Sequence, residues 1–577
     1  MPRTALLYDP ATQTWLQFDK PLKTFTTALL SEIPVLLAEI ELAVEQQTRH
    51  AIGFVSYEAS PAFEPTAETQ PAGEFPLLWF GLFDAPRQVP SPVTEADQVS
   101  IDWRPSLDEN GFCRAVEQIK TAIAAGETYQ VNFTFPLTAS DPGDPWSLFC
   151  RLMQNQPDSF GTWIDTGRYV IASASPEIFF ERRGAKLLTK PMKGTTTRGL
   201  TQADDQTKAD MLQVSVKERA ENIMVLDMIR NDLARLSGKA VEVEALCSIE
   251  KHPTVWQMTS TASTVTDTSL LEIFTALFPC ASITGAPKLR TMHHIAALET
   301  TPRQIYTGVI GHIAPNRQTR FSVAIRTALI DRETKTATYG IGAGITWDSD
   351  PATEYRECLA KAQILHQICP PFALLESLLW EPGSGYYLLD EHLQRLQSSA
   401  SYFGFSFDQE QITEKLQQLT ADLSPAPHKI RLLLDQAGMT TVETAPITST
   451  QKSVPLRVCL AKTSIARSDP FLYHKTTNRT VYATARQGVD DYDEALLYND
   501  KGEVTEACNA NLVVRLDGEL VTPPIGCGLL AGTLRSHLLA TGEIREQIIH
   551  LDDLSRCTEL YLINSVRRWR RMQLVGF

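Results

Sequence analysis

Lys193 is the side chain with the clearest capacity for chemistry in this sequence. It lies in the segment PMKGTTTRG, residues 191–199, where a primary amine stands beside a Gly-Thr turn. The segment is typical of a binding site for a small dianion. An amine at this point can act as a nucleophile, whereas an alanine could only shape the pocket. The choice of lysine therefore decides which chemistry is expected of the first two thirds of the chain.

Four glutamates could act together with this amine. Glu177 precedes it in the segment SASPE, and Glu221 lies in the run KERAENIMVLDMIRNDLARL. Glu354, Glu357 and Lys361 share one stripe of a helix because they stand at i, i+3 and i+7. Two carboxylates on separate helices could hold Mg²⁺, which takes one or two protein carboxylates together with water and substrate oxygens. A single glutamate of this kind is more often part of a solvated helix face.

Three further segments could bind an anion. The turn SITGAPK, residues 282–288, combines the Thr284 hydroxyl, backbone N–H groups and an ammonium at the start of a helix. The segment GIGAG, residues 340–344, lets a ligand approach the backbone closely, although such a segment is usually only a tight turn. Arg326 interrupts the β-like run FSVAIRT, where it could bind a carboxylate or form a structural ion pair.

The surrounding segments predict a mixture of helices and strands. Apolar positions at helical spacing indicate a helix over about 107–126. The other predicted elements are β-like runs at 169–172 and 178–180, a long helix from about Asp205 to Leu236, strands within 305–347, and a helix from about Ala352 to Gln367. The run Cys369-Pro370-Pro371 ends the last helix and marks the main domain boundary.

The length of 577 residues exceeds one ordinary core and predicts at least two domains. We divide the chain into an N-terminal segment at 1–99, a central domain at 100–366 and a C-terminal domain at 372–577. A hydrophobic content of 43% with 21% charged residues is ordinary globular composition. The formal net charge of −15 argues against nucleic acid or an anionic membrane as the main partner.

Cysteine usage and apolar runs predict a cytoplasmic protein. None of the ten cysteines forms CxxC or a zinc-type cluster, so reduced thiols are expected. The N-terminus, MPRTALLYD, reaches an acid too early for a signal peptide, and no apolar run is long enough to span a bilayer.

The motifs of the first two thirds, taken in order, resemble one family. PMKGTTTRG, RAENIMVLDMIRNDLAR, SITGAPKLR, YTGVIGHI, FSVAIRT and GIGAGITWDSDPATEYRECLAKA resemble the chorismate-binding enzyme family over about residues 100–365. This family includes synthases of anthranilate, isochorismate, salicylate and aminodeoxychorismate. The resemblance implies an α+β fold in which antiparallel sheets form a sandwich with flanking helices.

The same resemblance implies roles for the residues described above. Glu221 and Glu357 would hold Mg²⁺ against the ring carboxylate, and Glu177 would be the general acid that assists loss of the C4 hydroxyl. The substrate's carboxylates would be bound by Thr284, Tyr306, Arg326, Lys361 and the backbone of Gly342, Ala343 and Gly344.

Lys193 distinguishes among the reactions of this family. The family's anthranilate synthases usually carry alanine there, whereas lysine is similar to the members that make aminodeoxychorismate. In those members the amine is proposed to add to the ring and to be displaced by ammonia. Many relatives also have a His-His pair where this chain reads VWQM, residues 255–258, so a catalytic histidine is absent at that point. Its absence suits amination without loss of pyruvate.

The last third has a second set of candidate residues. The segments EHLQRL, HKTTNR, EVTEACNAN and GLLAGTLR resemble, in this order, the class IV pyridoxal-phosphate family over about residues 372–577. The resemblance implies two α/β subdomains with the cofactor between them. Lys475 would bond the cofactor aldehyde and move protons, Glu506 would pair with the pyridinium nitrogen, and Arg395 and Thr533 would hold the phosphate. Taken singly, each of these residues has an ordinary structural explanation.

The two resemblances together imply two successive steps: amination of chorismate to 4-amino-4-deoxychorismate, then elimination of pyruvate to give 4-aminobenzoate, a folate precursor. The chain has no Gly-x-Cys-x-Gly segment, so ammonia is expected from a separate glutamine amidotransferase subunit. One alternative is an anthranilate-forming or salicylate-forming synthase joined to an aminotransferase. Another is a non-catalytic chorismate-sensing or scaffold subunit. Sequence leaves the oligomeric state open, with a homodimer through the second module as one option.

Overall fold

The computed structural model describes residues 4–93, 101–237, 240–366, 371–421, 423–447, 454–487, 489 and 491–576. These residues form two compact units, the first within 1–197 and 209–369 and the second within 198–208 and 370–577. Cys369 and Pro370 of the predicted boundary, and Gln367 of the preceding helix, lie outside the described residues. The division at 1–99, 100–366 and 372–577 therefore stays a prediction. No helix in the described ranges combines the length and the apolar character needed to cross a bilayer.

The first unit consists of twenty strands and eight helices among the residues that are described. Its strands are β1 Ala5–Asp9, β2 Thr14–Phe18, β3 Lys23–Thr27, β4 His50–Val55, β5 Leu78–Phe83, β6 Arg87–Val89, β7 Arg104–Pro105, β8 Gln130–Ser140, β9 Phe160–Asp165, β10 Tyr169–Ser175, β11 Ile178–Arg183, β12 Lys186–Lys190, β13 Met192–Thr197, β14 Glu242–Lys251, β15 Val255–Val265, β16 Gly285–Ala286, β17 Val309–Ala314, β18 Gln318–Val323, β19 Thr327–Asp331 and β20 Thr336–Ile345. Its helices are α1 Ile33–Gln47, α2 Glu109–Ala124, α3 Pro145–Asn155, α4 Gln202–Val214, α5 Val216–Ser237, α6 Leu270–Leu277, α7 Lys288–Leu298 and α8 Pro351–Lys361. Of these, α4 begins within the stretch 198–208, which belongs to the second unit.

The strands of the first unit form two antiparallel sheets. The first sheet has the order β16-β8-β20-β19-β10-β9-β1-β2-β6, with β7 beside β8. The second sheet has the order β13-β15-β12-β11-β18-β17-β4-β5-β3, with β14 beside β15. Apolar side chains from both sheets, including Phe18, Phe54, Ile171, Ile310 and Leu329, share one buried cluster. The sheets therefore pack face to face as a sandwich.

Helices cover the outer face of each sheet. In α2, Asp108 accepts a hydrogen bond from the Gly111 N–H as the N-cap, and Phe112, Val116 and Ile119 lie on its buried stripe. This stripe joins the cluster that lines the outer face of the first sheet. A separate cluster packs α1, α5 and α6 against the second sheet. The predicted α+β sandwich with flanking helices is confirmed.

Two helix predictions need correction. The helix expected over about 205–236 is two helices, α4 and α5, interrupted at Ser215. The Ser215 hydroxyl accepts a hydrogen bond from the Glu218 N–H at 3.3 Å, so it satisfies a donor at the start of α5 and favours a new helix there. The helix expected over about 352–367 ends at Lys361 and is followed by a 3₁₀ turn at Gln363–Leu365.

The second unit has a four-stranded antiparallel sheet and an eight-stranded mixed sheet among its described residues. The strands are β21 Leu374–Glu381, β22 Gly385–Tyr387, β23 His428–Leu434, β24 Thr440–Pro446, β25 Leu456–Leu460, β26 Glu494–Tyr498, β27 Val504–Ala507, β28 Ala510–Leu516, β29 Glu519–Thr522, β30 Arg545–Glu546, β31 Glu559–Asn564 and β32 Arg568–Leu574. The helices are α9 Leu389–Phe403, α10 Gln409–Thr420, α11 Thr480–Ala485 and α12 Thr533–Ala540. The sheet orders are β22-β21-β23-β24 and β27-β26-β25-β32-β31-β28-β29-β30.

Each sheet of the second unit has its own buried cluster, which confirms the predicted pair of subdomains. The smaller sheet packs against α9 and α10, and the larger sheet has a separate core. Residues 198–208, which precede this unit by more than 150 positions in the chain, also belong to it. Within that stretch, Arg198 forms an ion pair with the buried Asp205 at 2.7 Å, and its guanidinium lies over the ring of Tyr402.

Candidate active sites

The first site lies where the chain passes between the two sheets of the sandwich. One crossing connects β10 to β11 and carries Glu177, and the other connects β18 to β19 and carries Arg326. Backbone hydrogen bonds join the crossings, because the Val323 N–H donates to the Glu177 carbonyl at 3.0 Å and the Ala174 N–H donates to the Arg326 carbonyl at 3.1 Å. Side chains from both sheets can therefore converge at this end of the sandwich.

The Lys193 amine stands between an acidic helix and a glycine strand. Its Nζ lies 3.2 Å from Glu221 Oε2 on α5. On the opposite side it faces Gly344 of β20, where a β-carbon would lie only 2.5 Å from Lys193 Nζ and 2.6 Å from Gln130 Nε2. A larger residue at 344 would push aside the end of one of these two side chains, so glycine leaves room for both. The amine thus reaches from the second sheet to the backbone of the first.

Glu177 is buried and holds its proton unusually strongly. Burial raises its pKa to about 7, although the Ser282 hydroxyl, the Met192 N–H and the charge of Lys193 oppose this rise. Ser282 Oγ donates to Glu177 Oε1 at 2.6 Å, which fixes the carboxyl group in place. A carboxylic acid that remains protonated near neutral pH can donate a proton to a leaving group.

Carboxylates from α5 and α8 influence one another across the site. Burial raises the pKa of Glu218, and the neighbouring charges of Glu221 and Glu357 raise it further. Burial also raises the pKa of Glu354, and the charge of Glu357 raises it further. Hard carboxylate oxygens facing each other from two helices are the donors that Mg²⁺ prefers, and a divalent cation would relieve their repulsion. Across the described ranges, no three His, Cys, Asp or Glu side chains form a complete metal-binding group. The donor set therefore fits a cation that takes the rest of its ligands from substrate and water.

The glycine strand is held on its other faces by Lys361 and Tyr306. Lys361 Nζ donates to the Gly342 carbonyl at 3.0 Å and pairs with Glu357 at 3.0 Å. The ring of Tyr306 packs against Gly340, where a β-carbon would lie 2.1 Å from the ring. The side chain of Ala343 points into the outer core, so its backbone alone is available to a ligand.

The side chains of Arg326 and Thr284 form hydrogen bonds within the protein. The Arg326 backbone has a left-handed φ of 51°, and its Nη1 donates to Gln156 Oε1. Thr284 is fully buried, and its hydroxyl lies 3.1 Å from the Cys280 carbonyl and 3.3 Å from that of Ala281. In this structure the Thr284 hydroxyl thus stabilises its own turn, while its role towards substrate stays a prediction.

The second site contains a buried lysine with a lowered pKa. Burial, assisted by the charge of Arg395, lowers the pKa of Lys475 to about 8. The Lys475 carbonyl accepts a hydrogen bond from the Leu375 N–H at 2.9 Å, which ties its loop to β21. An amine with this pKa is partly deprotonated near neutral pH, so a fraction of it is available as a nucleophile.

Glu506 lies near enough to Lys475 for their charges to interact, and three donors hold its carboxyl group. Tyr482 Oη donates to Glu506 Oε1 at 2.8 Å, Asn511 Nδ2 to Oε2 at 3.0 Å, and the Leu530 N–H to Oε1 at 3.2 Å. Burial raises the pKa of Glu506 to about 7, while these donors and the charge of Lys475 oppose the rise. The carboxyl group is fixed in orientation and can share a proton with a ligand nitrogen.

Arg395 belongs to a buried network that ends at Thr533. Arg395 binds Glu376 with two hydrogen bonds, at 2.8 and 2.7 Å. His392 Nδ1 lies 2.6 Å from the same carboxylate, and its Nε2 lies 3.3 Å from Thr533 Oγ1. Thr533 begins α12, whose first N–H groups favour an anion. The arrangement fits a phosphate group bound between Arg395 and the start of α12.

Several residues at these sites were not predicted from the sequence. Glu218 stands three residues before Glu221, the same spacing as Glu354 and Glu357, and this repeated spacing was an available signal. Asn222 and Gln257 carry side-chain amides with no distinctive sequence signal. At the second site, the unpredicted residues are Glu376, His392 and Asn511.

Comparison with known proteins decides the family. Residues 3–367 match the family model described as chorismate binding enzyme, which is more than half of the chain. The chain belongs to the chorismate binding enzyme family. Residues 373–575 match the model described as amino-transferase class IV, a domain that implies pyridoxal phosphate as cofactor. Both predicted resemblances, and the prediction that the chain is an enzyme, are confirmed.

Two relatives and one solved structure show how far the likeness extends. The aminodeoxychorismate synthase component 1 of Bacillus subtilis is 37% identical over 257 residues, 44% of this chain and 54% of that protein. The anthranilate synthase component 1 of Streptomyces coelicolor is 33% identical over 279 residues, 47% of this chain and 54% of that protein. The crystal structure of anthranilate synthase component I from Streptococcus pneumoniae TIGR4 is 22% identical, covers 64% of this chain and 91% of its own, and has a TM-score of 0.52, which shows a shared fold. This chorismate binding enzyme spans about half the length of the two relatives.

The raised pKa of Glu177 predicts a pH-dependent contribution to stability. Between its ordinary pKa of 4.5 and its folded pKa of about 7, the folded protein binds a proton that the unfolded chain releases. Stability from this group is therefore present at low pH and is lost as the pH rises through about 7. We expect the free energy of unfolding of Glu177→Gln, relative to wild type, to increase by about 3 kcal/mol between about pH 4 and 7.5. Urea denaturation across this range measures it, and a difference that does not vary with pH would contradict the assignment.

The network around Glu376 predicts that replacing this carboxylate with a neutral amide causes a large loss of stability. Although burial acts in the opposite direction, Arg395 and His392 hold the pKa of Glu376 well below its usual range. Its contribution is therefore present above about pH 4.5 and is lost as the pH falls. Glu376→Gln should lower the free energy of unfolding by about 3 kcal/mol at neutral pH, because it leaves a buried guanidinium unpaired.

A matched control for this change is Glu381→Gln, which alters a half-exposed ion pair with Arg568. It should change the free energy of unfolding by less than about 1 kcal/mol. Equal effects of the two substitutions in urea denaturation would show that the Glu376 network does not stabilise the second unit.

Proposed function

We propose that this chorismate binding enzyme makes 4-aminobenzoate in two steps. The first unit would aminate chorismate to 4-amino-4-deoxychorismate, and the second would eliminate pyruvate from that product. The observation that carries the proposal is the position of the Lys193 amine, which lies against the backbone at Gly344 and 3.2 Å from Glu221. An amine at this point can reach a ring bound along the glycine strand.

In the first step, Lys193 Nζ would form a bond to a ring carbon of chorismate. The ring double bonds shift, and the bond from C4 to its hydroxyl oxygen breaks. Glu177 gives its proton to the departing oxygen, which leaves as water. Ammonia then bonds to C4 as the bond to Lys193 breaks, which restores the free lysine, and the new C4 ammonium gives one proton back to Glu177. The sum of these changes is chorismate plus ammonia giving 4-amino-4-deoxychorismate plus water.

Glu221 and Glu357 would hold Mg²⁺, and the chemistry that the ion supplies is neutralisation of the substrate's ring carboxylate. Lys361 holds the Gly342 carbonyl, so the glycine strand stays in place beneath the substrate. Arg326, Tyr306 and Thr284, with the backbone from Gly342 to Gly344, would complete the binding of the substrate's carboxylates.

A glutamine amidotransferase would supply the ammonia. The sequence contains no Gly-x-Cys-x-Gly nucleophile segment of its own. The Bacillus subtilis relative is named as component 1 of its synthase, which supports a second subunit here as well. We further propose that the protein acts in the cytoplasm, in the synthesis of a folate precursor.

In the second step, Lys475 would hold the cofactor through its aldehyde and move a proton on and off the substrate at Nζ. Glu506 would hold a proton at the pyridine nitrogen, where its three donors fix its direction. Arg395 and Thr533 would bind the phosphate. The chemistry supplied by bound pyridoxal phosphate is delocalisation of an electron pair into its ring, which allows pyruvate to leave.

Product analysis tests the first step. With chorismate, an ammonium salt, Mg²⁺ and pyridoxal phosphate, the purified protein should release 4-aminobenzoate. Lys193→Ala should reduce amination by about 100-fold or divert it to the ortho product, because the nucleophile is lost. The matched control is Lys186→Ala, a half-exposed lysine on strand β12 of the same sheet that pairs with Glu244. Release of anthranilate or salicylate by the wild type, or unchanged turnover of Lys193→Ala, would sink the proposal.

The second step has its own test. Lys475→Ala should stop pyruvate release while 4-amino-4-deoxychorismate accumulates, because the proton carrier is gone. Chromatography of the intermediate and a coupled pyruvate assay measure the two quantities. Lys462→Ala, an exposed lysine in the same unit, serves as the control and should behave as wild type. Continued pyruvate release by Lys475→Ala would remove this residue from the reaction.

A further inference from the structure

The strand that carries Lys193 is irregular at that residue. Pairing between β13 and β15 shifts register between residues 192 and 195, where two residues of β13 stand opposite one residue of β15. The two residues are Lys193 and Gly194, and Gly194 adopts a left-handed φ of 98°. A β-bulge of this kind takes backbone groups out of the regular ladder and redirects a side chain. The freed carbonyls then need other hydrogen-bond partners.

Two side-chain amides supply these partners. Asn222 Nδ2 donates to the Lys193 carbonyl at 2.9 Å and to the Met258 carbonyl at 3.3 Å. Gln257 Nε2 donates to the Gly194 carbonyl at 2.7 Å. Asn222 is 1% exposed and Gln257 is 8% exposed, so water does not replace them. The bulge is therefore held from both sides by the protein itself.

The oxygen end of each amide is also occupied. Asn222 Oδ1 accepts a hydrogen bond from Ser260 Oγ, and Gln257 Oε1 accepts one from Thr195 Oγ1 at 2.9 Å. Because each amide donates at one end and accepts at the other, neither can turn over without losing partners. The two amides are consequently rigid supports for the bulge.

Helix α5 contacts both the side-chain amine and the backbone carbonyl of Lys193. Glu221 lies 3.2 Å from the amine, while the next residue, Asn222, binds the carbonyl. We propose that Asn222 and Gln257 are positioning residues, which hold the bulge so that the Lys193 amine points at the glycine strand. This inference rests on the proposed function of Lys193 as the nucleophile. Gln257 belongs to the segment VWQM, residues 255–258, and its amide binds the strand that carries Lys193.

The test uses the full-length chain with Gln257→Met, which keeps the length of the side chain and removes both hydrogen bonds without adding charge. We expect kcat for amination of chorismate with ammonium to fall by about 10- to 100-fold, because small displacements of a reacting group are costly. The KM for chorismate should change by less than about twofold, because the substrate-binding groups remain.

A matched control is available in Gln70→Met. Gln70 Nε2 also donates to two backbone carbonyls, those of Ala296 at 2.6 Å and Glu299 at 2.9 Å. This substitution removes the same kind of contact at another place in the first unit. Its kcat should stay within about twofold of wild type, since it leaves the reacting groups in place.

The same substitution in the Lys193→Ala background separates positioning from general damage. If Gln257 acts through the lysine, Gln257→Met should lower the residual amination of Lys193→Ala by less than about twofold. An equal fall in both backgrounds would overturn the positioning role and leave the proposed function intact. Wild-type turnover of Lys193→Ala alone would instead overturn the proposed function and this inference with it.

A second readout does not depend on turnover. The full-length protein, without substrate, is treated with an amine-acylating reagent, and peptide mass spectrometry follows the labelling rates of Lys193 and Lys186. Gln257→Met should change the rate at Lys193 by several-fold and leave that of Lys186 unchanged, because only the lysine on the bulge is released. An unchanged rate at Lys193 would overturn the inference, even if residual amination is too slow to measure.

Discussion

The close approach of the Lys193 amine to the backbone at Gly344 is the constraint on which the first site depends. A β-carbon at 344 would lie 2.5 Å from the amine, so glycine on one strand leaves room for the long side chain from the other. These strands belong to different sheets of the sandwich. The face-to-face packing of the sheets therefore sets the gap that the amine spans, and the acidic helix α5 closes its other side.

In each of the two units, burial shifts the pKa of a group that can carry a proton. In the first unit, burial raises the pKa of Glu177 to about 7. In the second, burial lowers the pKa of Lys475 to about 8. An acid that keeps its proton and an amine that readily loses one both become useful near neutral pH. A neighbouring hydrogen bond supports each group: Ser282 Oγ holds the Glu177 carboxyl group, and the Leu375 N–H holds the backbone of the Lys475 loop.

Sequence could indicate the fold and the candidate residues of both sites, because these carry strong signals. Lys193 stands out by type within a glycine-bearing motif, and periodic apolar residues mark most helices. Ser215 could not be recognised as a helix interruption, since a serine inside a helical pattern gives no sign of whether its hydroxyl caps a new helix. Asn222 and Gln257 could not be found either. Their importance comes from the bulge in β13, which depends on the pairing of strands distant in the chain.

A covalent bond between Lys193 and the substrate ring is the central claim, and it can be observed directly. Chorismate and Mg²⁺ are mixed with the protein in the absence of ammonia, the reaction is quenched, and intact and peptide masses are recorded. The account predicts a mass increase equal to chorismate less one water, located on the peptide that contains Lys193 and absent from Lys193→Ala. An unmodified lysine in a preparation that forms 4-amino-4-deoxychorismate once ammonia is added would contradict it.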